Sequence, residues 1–312
     1  MARLKVISYF SYKGGAGRST LAFNTIPILA KEHLHPTKDH PIIIIDTDLD
    51  SCGMSYLLGV DTDVTDDCCT QDLLKNGLKS LERPEFIWQH PNFKDLFAVG
   101  DKFGYDKESI LFLAAKDVKN VDNQGNYNDA NNPFVERLRN FIDVCKYYKV
   151  PAVILDAAVG NNATANATNQ VSNVVVCCMR PTIQFVNGTV RFLKALEQGG
   201  SFDGRKKIIA VPNVIPQEEV VVDGKEYPGY AITRINTQFK ELTARTDEDS
   251  DITYNLEMLD KNEFGIPAVK SFMWREGQLA TQKGPDGEDN LNDNEKLALQ
   301  RYKKLAAIIS NC

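Results

Sequence analysis

Apolar positions along this chain follow two rhythms that take turns. Short, nearly unbroken apolar runs rich in Val and Ile alternate with longer stretches in which apolar residues recur at helical spacing. The runs are Leu4-Lys5-Val6-Ile7-Ser8-Tyr9-Phe10, Pro41-Ile42-Ile43-Ile44-Ile45, Ile110-Leu111-Phe112-Leu113-Ala114, Ala152-Val153-Ile154-Leu155, Val174-Val175-Val176-Cys177-Cys178-Met179 and Lys206-Lys207-Ile208-Ile209-Ala210-Val211. A run apolar on both faces reads as a strand buried between two layers. Helices are expected over 21–33, 71–81, 133–148, 182–198 and 292–310. In the third, Phe134, Leu138, Phe141, Ile142 and Cys145 share one face. In the last, Leu297, Leu305, Ile308 and Ile309 point to the core. This alternation predicts an α/β fold, three layers around a mostly parallel central sheet.

Local signals refine the pattern. Pro133 sits in a first helical turn, where its missing N–H does no harm, and Gly199-Gly200 ends the helix before it. Pro27 lies well inside the first helix and predicts a kink near Phe23 or an early end. A short helix is expected over 51–59, followed by an acidic, turn-like stretch over 59–70. Residues 121–132 are polar and turn-rich and read as a surface loop. The chain reads as a single domain over 1–312 with insertions near 83–132 and 216–262. Within the second, Val220-Val221-Val222-Asp223-Gly224-Lys225-Glu226-Tyr227 predicts a hairpin turning at Asp-Gly, and 246–251 is an acidic, solvated run. This second insertion is expected to carry partner specificity.

Candidate chemistry begins between the first run and the first helix, at Lys13-Gly14-Gly15-Ala16-Gly17-Arg18-Ser19-Thr20. Glycines let a backbone curl with its N–H groups inward, and a helix N-terminus adds partial positive charge, which together cradle phosphate. A strict G-x-x-x-x-G-K-[ST] search misses the stretch, because Tyr12 stands at the first glycine and Arg18 at the lysine. Two strand runs end in carboxylates, Asp46-Thr47-Asp48-Leu49-Asp50 and Asp156. Carboxylates at the C-terminal ends of buried strands need a positive partner, and that edge is where α/β sheets bind ligands. The bland alternatives are a polar strand-to-helix turn and a glycine turn without ligand.

The loop resembles K-G-G-x-G-K-[ST]-T, the deviant Walker A form of the ParA/MinD-like P-loop ATPases, in a K-G-G-x-G-R variant. The resemblance implies ATP and Mg2+ as cofactors. It implies a signature lysine at Lys13 that reaches the partner's phosphates across an ATP-dependent homodimer. Gly14, Gly15, Ala16, Gly17 and Arg18 would form the cradle, Ser19 would ligate the metal and Thr20 would touch the α-phosphate. Asp46 would support the metal shell, Asp48 would lie near the attacking water, and Asp156 matches Walker B. Asp156-Ala157-Ala158-Val159-Gly160 keeps the family's D-x-x-x-G spacing without its usual proline. Asn213, after Pro212, would read the adenine edge; its other reading is a turn former beside prolines. Gly265-Ile266-Pro267-Ala268-Val269 resembles the family's late G-x-P strand. Residues 161–170 fall where the family places switch II, and read equally as a plain flexible loop.

The function so implied is a slowly hydrolysing ATP switch that dimerises with nucleotide to position or regulate an unidentified protein partner. Arg18 for lysine is not a conservative change, so the alternative is a non-hydrolysing ATP-gated module, of the kind the variant's relatives bring to bacterial multi-protein, defence-type systems. Composition adds limits. The 312 residues carry 36 basic and 42 acidic side chains, net −6, which does not favour a nucleic-acid-coating role. The basic groups Arg205, Lys206, Lys207, Arg301, Lys303 and Lys304 are the DNA candidates, though a charged helix face usually reads as solvated. Seven cysteines without a C-x-x-C fit a reducing cytoplasm. No apolar stretch is long enough to span a membrane, and the closing helix is needed for the core, so membrane binding is not expected. His33, His35 and His40 lack a partner at metal spacing.

Overall fold

Strand β1 (Lys5–Phe10) is central, with β5 (Ala152–Asp156) on one side and β6 (Val174–Met179) on the other. The computed structural model describes residues 4–60, 69–76, 96–116, 133–199, 205–244, 251–273, 277–281 and 291–312. Beyond β5 follow β2 (Ile42–Asp46), β4 (Ile110–Leu113) and β3 (Phe97–Ala98). Beyond β6 follow β7 (Lys206–Pro212) and β10 (Ile252–Asn255). The eight-stranded order is β10-β7-β6-β1-β5-β2-β4-β3, and only β3 runs antiparallel.

Alternation along each strand builds the layers. Ile42, Ile44, Ile154 and Val176 face one side, where α1 (Arg18–Leu29), α2 (Gly53–Leu58) and α8 (Asp293–Ser310) cover them. Ile43, Ile45, Val153 and Leu155 face the other, against α3 (Thr70–Asn76), α4 (Pro133–Tyr147) and α5 (Ala163–Val171). Further along that face, Val175, Cys177, Ile208 and Ala210 pack with α6 (Ile183–Gly199) and α7 (Gly229–Thr243). The central strands are apolar on both faces because both faces are covered, as their composition predicts. Asn292 and Glu295 start α8 with a reciprocal capping box.

Several expectations change. The first helix neither stops nor breaks at Pro27: α1 runs through it to Leu29 and widens into a π turn over Ala30–Leu34, closed by His35 N–H on the Ala30 carbonyl at 2.9 Å. Residues 161–170 are not a loop. Asn162 caps α5 through Ala165 N–H, and the small side chains of α5 let it pack buried against the sheet and α4. The 265–269 segment is no strand; it forms a single bridge, Pro267 beside Ile215, at the left-handed Gly265. Leu297 is only half buried, and Ala298 and Tyr302 take the core positions in α8. Residues 216–262 supply more than a hairpin: α7 and the edge strand β10 come from them. The expected loops over 59–70 and 121–132 and the acidic run over 246–251 lie largely outside the described residues.

Lys206, expected from the sequence to be a surface cation, is buried at 2% exposure. Its ammonium donates to the carbonyls of Asn169 (2.8 Å), Gln170 (2.6 Å) and Ser172 (2.6 Å), closing the C-terminal end of α5. Arg301 and Lys304 both pair with Glu263, at 3.2 and 2.5 Å. Among the described residues no helix is long and apolar enough to cross a membrane.

Candidate nucleotide site

The loop between β1 and α1 turns on Gly15 (φ 80°) and Gly17 (φ 77°), both left-handed. Its carbonyls are drawn outward by side chains from distant strands. Asn213 Nδ2 donates to Ala16 O at 2.8 Å and Gly17 O at 3.3 Å, Cys178 Sγ to Ala16 O at 3.2 Å, and Arg180 Nε to Gly15 O at 2.6 Å. Carbonyls held outside are the orientation a phosphate cradle needs. A side chain at Gly17 would be strained at φ 77° and would displace Asn213 Nδ2, 2.7 Å from the Cβ it would add. Gly160 N–H donates to Ser11 O at 3.1 Å, which sets the segment after β5 against the loop. Tyr12, the residue that defeats a strict motif search, lays its ring on Gly188 of α6, where an added Cβ would lie 2.1 Å away. No local signal marks Cys178, Arg180 or Gly188 as loop supports, since each sits far along the chain.

Three carboxylates converge beneath the loop, and Arg18 bridges two. Its Nη2 donates to Asp48 Oδ2 and its Nε to Asp156 Oδ1 at 3.1 Å, with all three side chains nearly solvent-free. Burial alone would lower the Arg18 pKa, but Asp156, Asp48 and Asp46 overrule it and hold the guanidinium charged. Burial raises Asp156, with Arg18 and the neighbouring Ser19 hydroxyl opposing. Asp46 is committed otherwise: Oδ2 accepts from Ser55 N (2.9 Å) and Ser55 Oγ (2.8 Å), and Oδ1 from Asp48 N (3.1 Å). It therefore fastens α2 and the acidic turn to the end of β2.

Burial, then the Asp156 charge, pushes Asp46 up to about 7. The unfolded carboxyl titrates near about 4. The folded protein thus binds the extra proton between those values, and stability falls as pH rises from about 4 to about 7. Asp46→Asn removes that titration. The fall in Tm from pH 5 to pH 8 should be smaller in the variant, and an undiminished fall would refute the assignment.

The donor set suits a hard cation. Asp156 Oδ2 and Asp48 Oδ1 are buried and lack hydrogen-bond partners. Ser19 Oγ faces the same point: a Cβ on Gly53 would lie 2.7 Å from Ser19 Oγ and 4.0 Å from Asp156 Oδ2. Oxygen donors of this kind fit Mg2+, which is seldom caged by protein alone. Among the described residues no group of three or more Asp, Glu, His or Cys side chains is placed to hold a metal by itself. Lys13 is exposed at the outer rim, its ammonium 2.8 Å from Gln184 Oε1. Thr20 lies in the first turn of α1, and its carbonyl accepts from Asn24 at 3.0 Å. The Asn213 amide donor, expected to read a base, is here engaged with the loop.

No family model matches the chain, and no curated protein matches it in sequence. Solved structures do. A complex of Cyanothece McdA with ATP is 14% identical, with 99% of this chain and 97% of that one covered and a TM-score of 0.58. The septum site-determining protein MinD of Pyrococcus horikoshii, complexed with Mg-ADP, is 17% identical over 98% and 96%, with a TM-score of 0.54. A plasmid partition protein of Borrelia burgdorferi is 11% identical over 98% and 99%, at 0.53. At such identities the likeness is one of fold, and the chain has the α/β fold of McdA, MinD and this plasmid partition protein.

Proposed function

We propose that this protein is an ATP-binding switch, one domain over 1–312, that dimerises with nucleotide and hydrolyses it slowly to position or regulate a partner protein. The observation that carries the reading is the left-handed glycine loop set directly over three buried carboxylates at the ends of β2 and β5. In this reading Gly14, Gly15, Ala16 and Gly17 cradle the phosphates with backbone N–H groups, and Thr20 contacts the α-phosphate. Ser19 and Asp156 hold magnesium, with Asp46 fastening the turn behind them. Magnesium held there would supply positive charge against the phosphates. Asp48 orients the water. Arg18 leaves Asp48 and Asp156 to engage the phosphates through its planar fork. Asn213 reads the base only by trading its bonds to the Ala16 and Gly17 carbonyls.

Lys13 can extend, because its hydrogen bond among the described residues is an exposed contact to Gln184. Light scattering after gel filtration tests this. Wild type should double in mass with Mg-ATP, and Lys13→Ala should stay monomeric while still binding ATP. A Lys13→Ala variant that doubles as wild type does would remove the cross-dimer role.

A second reading has its own support. Arg18 pairs with Asp48, the group assigned to the water. If that pair survives nucleotide binding, the chain holds ATP without turning it over and acts as an ATP-gated interaction module. Phosphate release indistinguishable from blank, with ATP bound, would select it.

A further inference from the structure

Strands β8 (Val220–Val222) and β9 (Lys225–Tyr227) form a two-stranded sheet apart from the central one. Asp223 (φ 52°) and Gly224 (φ 70°) are both left-handed, the signature of a two-residue type I′ turn. In such a hairpin the flanking pair, Val222 and Lys225, exchanges its backbone hydrogen bonds. The register Val220↔Tyr227, Val221↔Glu226, Val222↔Lys225 then leaves the Val221 N–H and carbonyl turned to the outer edge. The β9 side is supported by α7: Tyr227 packs edge-on to Tyr230 at 5.6 Å, and the Lys225 ammonium sits 4.2 Å over the Tyr230 ring. Among the described residues no strand lies on the other side of β8. Its three valines are 50, 70 and 51% exposed.

Proteins usually blunt such an edge with lysine or proline on the strand; β8 has neither. Acid brackets it instead, Glu219 before and Asp223 after, while Glu218 is paired with Lys270 at 3.2 Å. That bracket argues against a second copy of this chain. Antiparallel self-pairing about Val221 would set Glu219 opposite Asp223 of the copy, a like-charge cross-strand contact. The complement is an extended segment with apolar residues between basic ones. We propose that the outer edge of β8 docks such a segment of a partner protein, adding it as a third strand. The edge hangs from the loop's own anchor: the chain runs from Asn213, which holds the Ala16 and Gly17 carbonyls, through Ile215, bridged to Pro267, into Glu218. The docking itself does not depend on the nucleotide reading.

Fluorescence anisotropy with labelled Lys-Lys-Val-Thr-Val-Lys-Lys, without nucleotide, tests it. Wild type should bind. Val221→Pro should bind at least about tenfold more weakly, because proline deletes the outward N–H and leaves the hairpin's own bonds intact. Val221→Thr, which keeps the N–H and the β-branch, should bind as wild type does, showing that the loss follows the missing N–H and not the valine side chain. Glu219→Lys should weaken binding, and Glu-Glu-Val-Thr-Val-Glu-Glu should not bind. Equal binding to Val221→Pro, equal binding of the acidic peptide, or no binding of the basic peptide at millimolar concentration would each overturn the proposal. So would a nucleotide-free wild-type dimer that Val221→Pro dissolves, which would assign the edge to self-pairing.

Discussion

Replacing Arg18 with alanine should lower the unfolding free energy of the nucleotide-free protein by about 3–5 kcal/mol, the usual penalty for leaving buried charge uncompensated. The expected change in Tm is a fall of about 10 °C. Magnitude decides this over a milder outcome. Exposed pairs such as Lys270–Glu218 contribute about 0–1 kcal/mol, whereas Arg18 is 6% exposed and its partners Asp48 and Asp156 are 2% and 0%. The variant strands both carboxylates in the protein interior. Asp156, already raised by burial, loses the opposing Arg18 charge, so the deficit should be larger at pH 8 than at pH 5. Mg2+ in the millimolar range should restore part of the lost Tm in the variant, since it replaces the missing charge. Arg18→Lys should fall between, because an ammonium cannot reach Asp48 and Asp156 together as Nη2 and Nε do. A variant within a degree of wild type at pH 8 would show that the ion pair carries no net stability.

The second large effect concerns turnover. Asp48→Ala should cut phosphate release by about 10²–10³-fold, within the range for a positioned acid–base group, while ATP binding is kept or tightened. Binding gains because Arg18 loses one of the anchors that hold it away from the phosphates. Asp48 Oδ2 accepts from Arg18 and from Ser51 Oγ at 2.5 Å, but Oδ1 is buried without a partner. An unsatisfied carboxylate oxygen at the sheet edge is costly unless a ligand completes it, and a water held for attack would do so. Release unchanged in Asp48→Ala would reassign the water to another group. Release absent from wild type as well would favour the ATP-gated module.

These two residues also show where reading the chain stops. Val and Ile runs, helical spacing and a glycine-rich turn are local properties, set by covalent geometry and near-neighbour packing. They alone sufficed for β1, β2, β4, β5, β6 and β7, for most of the helices between them, for the glycine-rich turn at 13–20, for the acidic ends of β2 and β5, and for the Asp-Gly hairpin. Misreadings came where local propensity was overruled. The Asn, Ala and Thr of 161–170 read equally as switch II and as a plain loop; the plain loop fails, because α5 forms where small side chains fit beside β1 and α4, a fit that only the packed neighbours reveal. Pro27 predicts a kink or an early end, yet α1 runs through it to Leu29, held among buried neighbours.

Sequence by itself therefore determined the layered fold and the chemical types gathered at one edge of it. Tertiary structure alone decided their partners. It sent Arg18 to Asp48 and Asp156, 30 and 138 positions away along the chain. It buried Lys206 among carbonyls and tied Asn213 to the loop. The physical reason is that a charge's partner depends on which strand ends the sheet brings together, and parallel pairing joins residues too distant in sequence for any local pattern to report.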